Sequence, residues 1–265
     1  MSEPAPRPPE GTPVPPHSPL REYYGADAER HRYVMDLFNR TARHYDTIER
    51  IFGNGGLLYR RLSMKAAGMK PGMKVLDIAM GTGAVARGAA RNVGPSGLVV
   101  GVDPNPGMLA EAGKTFRGPR VRGVGQALPI RSDEFDFVTM GIALRHVSDL
   151  VATFREYLRV LKPGGQLWIL EGHVPKSRIG HGLTRFAWKT VIPGLTLLAT
   201  RDREAKLLMD YYWDTVEQAV PPEKIVAVLR EAGFEDARSN VIVPGAFIEY
   251  RGRKPAAPAR ADAAA

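Results

Sequence analysis

Residues 75–83 read Val-Leu-Asp-Ile-Ala-Met-Gly-Thr-Gly, and an acid, Asp103, follows twenty residues after the last glycine. The apolar run predicts a buried strand that leads into a glycine loop. A second apolar run, residues 98–102, predicts a strand that ends at Asp103. Such a loop brings backbone N–H groups close to a ligand, and the acid can accept both hydroxyls of a ribose. The stretch therefore predicts an α/β protein that binds a nucleoside cofactor.

The glycine loop alone does not identify the cofactor. Residues 81–86 also fit the dinucleotide fingerprint, and Asp103 stands where the ribose acid of an NAD enzyme stands. Asp77, however, lies inside the end of the first strand, where an unpaired carboxylate is costly. A cationic ligand with an amino group compensates that carboxylate, whereas the pyrophosphate of NAD is repelled by it. The alternatives that need no ligand are a tight turn at the glycines and a solvated acid at Asp103.

Composition limits the class of protein. The 265 residues include no cysteine, which excludes disulfides, a thiolate metal site and a cysteine nucleophile, and we predict no metal. No apolar run approaches the ~20 residues that span a bilayer, and the N-terminus lacks the apolar core of a signal peptide, so we expect a cytoplasmic protein. The formal charge is +9. Without an RNA-binding signature or a dense run of Lys and Arg, this charge predicts no nucleic-acid partner.

The chain divides into four regions. Residues 1–20 contain eight prolines and predict a disordered tail, and residues 255–265 predict a second tail. Residues 21–70 predict an N-terminal helical lid, with one helix over 30–52 and another over 57–67. Residues 71–254 form the predicted cofactor-binding domain, which includes a helical insert at 174–220.

Strands and helices alternate within residues 71–254. Strands are predicted near 74–79, 98–103, 120–124, 135–140 and 166–171, helices near 84–92, 107–116, 149–161 and 222–232, and a closing hairpin at 236–243 and 246–252. Ser148 is the predicted N-cap of the third helix. The alternation predicts a doubly wound, mostly parallel seven-stranded sheet closed by an antiparallel hairpin.

Three further segments resemble class I S-adenosylmethionine (SAM) methyltransferases. They are Ala127-Leu128-Pro129-Ile130, Asp133-Glu134-Phe135-Asp136 and Leu161-Lys162-Pro163-Gly164-Gly165. The resemblance implies that SAM is the cofactor. Asp77 and the glycine loop would hold its amino-acid half, Asp103 its ribose, and Met108 and Ala127 its adenine. The implied cofactor-binding residues are Tyr45, Asp77, Ala79, Gly81, Gly83, Asp103, Met108, Gln126 and Ala127.

Two segments resemble one family more closely. Residues 38–46, Phe-Asn-Arg-Thr-Ala-Arg-His-Tyr-Asp, are similar to the F-x-x-x-A-x-x-Y-D segment of ubiquinone/menaquinone C-methyltransferases, and residues 144–147, Leu-Arg-His-Val, resemble their segment after the fourth strand. This resemblance implies that Tyr45 hydrogen-bonds SAM from a lid and that Arg145 lies on the substrate side. A core tyrosine is the alternative for Tyr45.

The chain departs from that family at two positions. His146 stands where the family usually has Asn, and Val124 stands where it usually has an acid. The adenine amino group must then find another acceptor, such as Gln126 or a backbone carbonyl. These departures favour, almost equally, an O- or N-methyltransferase that tailors a specialised metabolite. A non-methylating SAM-fold protein and a nucleic-acid methyltransferase are weaker alternatives.

The predicted reaction is methyl transfer to a small hydroxylated aromatic or quinol-like acceptor, at carbon or oxygen. Such an acceptor must lose a proton, and His146, or otherwise His173, is the predicted base, with Arg145 holding the developing oxygen anion. The insert at 174–220 is predicted to cover the crevice and to line the acceptor pocket. Its basic residues suggest a peripheral contact with an anionic membrane. The oligomeric state stays open, a homodimer included.

Overall fold

A seven-stranded sheet forms the centre of the protein, in the strand order β3-β2-β1-β4-β5-β7-β6. The computed structural model describes residues 13–51 and 55–257. The strands are β1 Lys74–Ile78, β2 Leu98–Asp103, β3 Arg120–Arg122, β4 Phe135–Gly141, β5 Leu161–Gly172, β6 Glu235–Val243 and β7 Phe247–Arg253. Strands β1 to β5 pair in parallel, and β7 pairs antiparallel with both β5 and β6. The predicted doubly wound, mostly parallel sheet with a closing hairpin is confirmed.

Helices lie on both faces of this sheet. They are α1 Arg21–Tyr24, α2 Asp27–Thr41, α3 Tyr45–Ile51, α4 Gly55–Ala66, α5 Ala84–Val93, α6 Pro106–Thr115, α7 Leu150–Val160, α8 Arg178–Phe186, α9 Ile192–Thr200, α10 Arg203–Glu217 and α11 Pro222–Glu231. Among the described residues, no helix is long and apolar enough to cross a membrane.

Three apolar clusters hold these layers together. One joins β1, β4 and β5 to α7 and α11, and a second joins the other face of the sheet to α4 and α5. The third joins the N-terminal helices to α10, where Trp213 is fully buried near Leu37. Because α2 and α10 share this third cluster, the N-terminal helices are fixed over one edge of the sheet.

Two local predictions are wrong. The helix expected over 30–52 is interrupted, because residues 42–44 form a 3₁₀ turn between α2 and α3. The N-cap of α7 is Asp149 and not Ser148: the Asp149 carboxylate accepts the N–H groups of Val151 and Ala152. Of two adjacent capping residues, the carboxylate is favoured because it also carries charge at the positive end of the helix.

The predicted tail at residues 1–20 is also corrected. Residues 1–12 lie outside the described residues, but residues 13–20, here called the N-terminal segment, pack onto the protein. The N–H of Val14 donates to Asp149 at 3.0 Å, and the Val14 carbonyl accepts the N–H of Leu150. Leu20 is fully buried. Proline has no backbone N–H that needs an acceptor and loses little entropy on ordering, so a few apolar contacts suffice to hold such a segment.

We therefore expect removal of residues 1–20 to destabilise the protein. Losing the buried side chains of Val14 and Leu20 exposes apolar surface worth ~3 kcal/mol, which corresponds to a decrease in Tm of about 5–10 °C. Differential scanning calorimetry measures this decrease. The matched control is a variant that lacks only residues 1–12 and so keeps every described residue. Equal Tm values for the two variants would show that the N-terminal segment adds nothing to stability.

Candidate active site

A cavity of 620 Å³ lies at the carboxyl ends of the parallel strands. The glycine loop and the ends of β1, β2 and β4 form its floor, and α2 and the N-terminal segment form its opposite wall. Ligands bind at this edge of open α/β sheets. Seven of the predicted site residues line it: Tyr45, Ala79, Gly81, Asp103, Met108, Gln126 and His146.

A second, much smaller cavity of 30 Å³ adjoins the first. It is lined by Asp77, Glu49 and Arg60, and it shares Tyr45 and Ala79 with the larger cavity. Glu49 and Arg60 form an ion pair at 2.9 Å. The two cavities therefore meet at the glycine loop, with a carboxylate facing each of them.

Asp103 is fixed by the backbone around it. One carboxylate oxygen accepts the N–H of Gly81 at 2.8 Å, and the other accepts the N–H of Asn105 at 2.8 Å. Burial raises the pKa of Asp103 to about 6, against the effect of these two hydrogen bonds. Each oxygen keeps a second lone pair for a ligand hydroxyl.

Asp77 is completely buried at the end of β1. Its Oδ1 accepts the hydroxyl of Thr139 at 2.7 Å, whereas its Oδ2 is buried and has no partner among the described residues. Burial raises the pKa of Asp77 to about 7. An unsatisfied buried carboxylate oxygen is costly, so this atom points to a ligand that carries a positive charge or a donor.

The backbone at the floor of the cavity adopts unusual conformations. Ala79 has a φ of 51° and Ile142 a φ of 57°, the left-handed region that L side chains rarely occupy. Ile142 is β-branched, for which this conformation is a clear outlier, and it lines both cavities. Strain of this kind clusters at ligand sites. The glycines of the loop, Gly81 and Gly83, adopt positive φ without such a cost.

Tyr45 begins α3 beside both cavities, and its neighbour holds the helix to the glycine loop. The Asp46 carboxylate accepts the hydroxyl of Thr82 at 2.6 Å. Burial raises the pKa of Tyr45 to about 12, so its hydroxyl stays protonated and can donate. This tyrosine-aspartate pair therefore joins the N-terminal helices to the loop that the sequence identified.

His146 lies in the 3₁₀ turn after β4 and lines the larger cavity. Both of its ring nitrogens are buried and have no hydrogen-bond partner among the described residues. Its ring contacts Phe38 edge-on, with 5.1 Å between centroids, and stacks on Tyr211 at 5.9 Å. Burial, followed by the charge of Arg145, holds the pKa of His146 well below its usual range. At neutral pH this imidazole is uncharged and has a lone pair to offer.

Arg145 does not reach the larger cavity. Its guanidinium donates to Glu171 at 2.7 Å and to the carbonyl of Ile142 at 2.8 Å, and it lies 4.1 Å over the ring of Tyr212. A buried guanidinium requires such a partner, so the side chain is committed to the protein. The expectation that Arg145 holds an anion of the acceptor is therefore wrong for this geometry.

Three other expectations are not met by this cavity. His173 does not line it, and neither does Ala127, which is exposed. No residue of the insert at 174–220 lines it either. The large side chains of the insert, Trp188 and Trp213, are buried in the third apolar cluster. Gly83 is the N-cap of α5, with a φ of 86°, and lies behind the floor of the cavity. Asp77 lines only the smaller cavity.

Two polar residues of the cavity wall were missed by the sequence analysis. His17 is buried, and its Nε2 lies 2.9 Å from the Arg30 guanidinium, which also donates to the carbonyl of Arg145 at 2.7 Å. Burial lowers the pKa of His17 to about 4. Arg30 pairs with no carboxylate among the described residues, so it adds positive charge to the acceptor side of the cavity. His17 lies in a proline-rich segment whose composition gave no signal of order.

Comparison with known proteins agrees with this architecture. Residues 26–254 match the model of the ubiE/COQ5 methyltransferase family. The chain belongs to that family. It is 31% identical over 229 residues to the ubiquinone/menaquinone biosynthesis C-methyltransferase UbiE of Shewanella woodyi, which covers 83% of this chain and 90% of that protein. It is 32% identical to the demethylmenaquinone methyltransferase of Symbiobacterium thermophilum, over 85% of this chain and 94% of the relative.

A solved structure shows the same fold. A SAM-dependent methyltransferase from Aquifex aeolicus matches with a TM-score of 0.56 and 18% identity, over 78% of this chain and 97% of that one. Together with membership of the ubiE/COQ5 family, this makes the protein a SAM-dependent methyltransferase, as the resemblance to class I methyltransferases implied. The N-terminal segment precedes the residues that match the family model.

The residues of the two cavities fit SAM. The unpartnered Oδ2 of Asp77 and the raised pKa values of Asp77 and Asp103 all call for a cationic ligand. SAM carries a sulfonium and an ammonium group. These positive charges stabilise the ionised forms of Asp77 and Asp103, which burial destabilises. Ribose hydroxyls suit the free lone pairs of Asp103. Glu49 and Arg60 lie beside Asp77. Their charges suit the ammonium and carboxylate groups of the amino-acid half of SAM.

The affinity for SAM should therefore rise with pH. In the free protein, Asp77 and Asp103 are partly protonated below pH values of about 7 and about 6, and a cationic ligand favours their charged forms. Binding then releases protons, and Kd should fall by about tenfold between pH 5.5 and 7.5. Calorimetry in buffers of different ionisation enthalpy counts the protons released. A constant Kd with no proton release would contradict the raised pKa values.

Proposed function

We propose that this methyltransferase acts on a small hydroxylated aromatic of the quinol type and methylates a ring carbon. The observation that carries the proposal is His146, which lines the larger cavity and whose two buried ring nitrogens have no hydrogen-bond partner among the described residues. A neutral imidazole in a largely apolar cavity suits a flat acceptor with an ionisable hydroxyl. The names of the two relatives, both methyltransferases of quinone biosynthesis, support the same class of acceptor.

The cofactor side of the site follows from the two carboxylates. SAM supplies a methyl group already activated by its sulfonium. Asp103 would bind the ribose hydroxyls, and Asp77 would bind the ammonium group from the smaller cavity. Tyr45 donates its hydroxyl from α3, which the Asp46–Thr82 hydrogen bond fixes to the glycine loop. Met108 and Gln126 line the same cavity, where Met108 would pack beside the adenine and Gln126 would accept or donate a hydrogen bond at its edge. The protein thus orients the methyl group and excludes water.

The acceptor side provides a proton acceptor. A ring nitrogen of His146 takes the proton of the acceptor hydroxyl, which raises the electron density on the neighbouring ring carbon. Bound SAM would supply the methyl group to that carbon, with the carbon–methyl bond forming as the methyl–sulfur bond breaks. His146 returns its proton to the oxygen and takes the proton of the ring carbon, which restores aromaticity and leaves one proton on the imidazole. Arg30 stabilises the oxygen anion by its charge, a role that replaces the one expected of Arg145.

A second candidate is O- or N-methylation of a specialised metabolite. It is favoured by the two departures from the family pattern, His146 in place of Asn and Val124 in place of an acid. Both residues line the larger cavity. In this candidate the deprotonated oxygen or amine is itself the nucleophile, and His146 again accepts its proton. The methylated atom distinguishes the two candidates.

The deciding experiment uses SAM with a ¹³C-labelled methyl group. The full chain is incubated with four acceptors. One is a naphthohydroquinone, and the other three are single-ring compounds: a benzohydroquinone, a catechol and an aromatic amine. The NMR shift of the labelled methyl group distinguishes attachment to carbon, oxygen and nitrogen. We expect C-methylation of the hydroquinones. Labelling of oxygen or nitrogen alone supports the second candidate, and SAM binding without transfer to any acceptor contradicts both.

A further inference from the structure

The helical stretch from α8 to α9 presents an apolar surface to solvent. Ile179 is 80% exposed, Leu183 67% and Phe186 61% on α8, and Leu198 is 76% exposed on α9. Large side chains of this kind are normally buried, and α8 has no buried residue at all. Solvent-exposed apolar patches mark sites of interaction. We call this face, formed by Ile179, Leu183, Phe186, Val191, Leu195 and Leu198, the apolar stripe.

A π-helical turn makes the apolar stripe continuous. In an uninterrupted α-helix, at ~100° per residue, Ile179 and Leu198 would point ~100° apart. Residues 187–191 form a π-turn, which holds one extra residue and so sets α9 back by about that angle. The exposed residues before and after the turn then share one side. Trp188, Pro193 and Thr196 are buried on the opposite side, as this geometry requires.

The unpaired charge beside the apolar stripe is basic, because the neighbouring acids Glu223 and Asp214 pair with Lys176 and Lys189. Residues 173–201 contain five Lys and Arg and no Asp or Glu. Arg178 and Arg185 are seven residues apart, so they lie on the same flank of the stripe, and both are exposed. Neither forms an ion pair with any described residue. A long apolar stripe with basic residues along one flank has the chemistry of a helix that lies in the interface of an anionic bilayer.

We propose that the apolar stripe binds the surface of an anionic lipid bilayer, with α8 and α9 parallel to the membrane plane. A second copy of this chain fits the surface less well, because an antiparallel two-fold contact would bring the basic flanks of the two stripes together without a compensating acid. The ~28 Å from Ile179 to Leu198 is enough for a continuous contact with the headgroup region. The apolar side chains enter the bilayer, and the arginines contact lipid phosphates.

A series of packed side chains connects this surface to the active site. Trp188, on the inner side of the stripe, stacks on Tyr212 with 4.6 Å between centroids and 5° between planes. Arg145 lies over Tyr212, and His146 follows Arg145 in the same turn. The bound enzyme would therefore hold its cavity near the bilayer. The membrane contact does not depend on the proposed function. Only the idea that this contact lets the enzyme reach an acceptor dissolved in lipid rests on it.

The test is flotation of the full chain with lipid vesicles, without SAM or acceptor. We expect binding to vesicles of phosphatidylcholine with one third phosphatidylglycerol, and much weaker binding to phosphatidylcholine alone. Each basic residue near an anionic surface changes the partition coefficient by about fivefold, so R178Q/R185Q should bind about 25-fold more weakly. The matched control, R117Q/R131Q, removes the same charge from exposed arginines elsewhere and should bind like the parent chain.

A second variant tests the apolar part separately. L183S/F186S keeps every charge and removes two exposed side chains, so it should fold normally, lose vesicle binding and keep its affinity for SAM. Sedimentation velocity gives the competing outcome: a dimer of the parent chain that L183S/F186S dissociates would show that two copies share the stripe. That result overturns the proposal, as would equal flotation of R178Q/R185Q and R117Q/R131Q. Methyl transfer is not measured, so failure of the proposed function leaves this test intact.

Discussion

Replacing His146 with Ala should lower kcat by about 10²–10⁴-fold at saturating SAM, the usual contribution of a positioned base. His146 lines the larger cavity, its two buried ring nitrogens have no partner among the described residues, and in the neutral ring one of them can accept a proton. Because burial and the charge of Arg145 hold the His146 pKa well below 6.5, the imidazole is charged only in acid. The kcat of the parent enzyme should therefore stay constant through pH 6.5 and decrease only at lower pH. The variant should lack that decrease.

Two further variants make this prediction specific. His173→Ala changes the other histidine that follows a strand, but His173 does not line the cavity, so its kcat and pH profile should match the parent enzyme. His146→Asn restores the residue that the family usually carries. If Asn supports the rate without the acid decrease, the residue orients the acceptor and removes no proton. An unchanged affinity for S-adenosylhomocysteine in all three variants shows that the cofactor site is intact.

The candidate cofactor-binding residues could be predicted because the sequence features that indicate them lie close together in the chain. A strand, a glycine loop and an acid at the end of the next strand lie within thirty residues, and parallel pairing brings their ends together. Asp77 was identified because a carboxylate inside an apolar strand demands an explanation. The structure gives it one unpartnered oxygen and a raised pKa.

The acceptor half could not be predicted in the same way, because distant segments form it. His17 meets Arg30 and the turn that carries His146 only after folding, and nothing in a proline-rich stretch indicates that it will order. Arg145 was assigned to the acceptor by family resemblance. In the structure its burial beside Glu171 fixes it instead as a support for the turn. Sequence patterns identify charged residues, but packing decides which of them stay available to a ligand.

The insert shows the same limit. Its aromatic residues suggested a pocket lining, yet Trp188 and Trp213 are buried against α10 and the N-terminal helices. Several of its aliphatic residues are exposed along α8 and α9. The π-turn at residues 187–191 rotates α9 by about one residue and so aligns the exposed sides of α8 and α9, and no composition rule reports such a turn.

The second large effect concerns the two carboxylates, which should act on different halves of the cofactor. Asp103→Ala removes charged acceptors from the ribose, and each lost hydrogen bond of this kind costs about 1.5–3 kcal/mol, or about 10- to 150-fold in affinity. This variant should bind S-adenosylhomocysteine and 5′-methylthioadenosine with equally reduced affinity, since both ligands carry the ribose. Isothermal titration calorimetry gives both affinities.

Asp77→Asn should separate the two ligands. The amide can still accept the Thr139 hydroxyl, so the fold should be kept, and removing a buried acid with a raised pKa should not lower Tm. Affinity for S-adenosylhomocysteine, which has the ammonium group, should fall by about tenfold or more, because a neutral amide no longer compensates that charge. Affinity for 5′-methylthioadenosine, which lacks the amino-acid half, should not change. If Asp77→Asn weakened both ligands equally, Asp77 would be supporting the glycine loop and not binding the ammonium group, and the smaller cavity would have no role in cofactor binding.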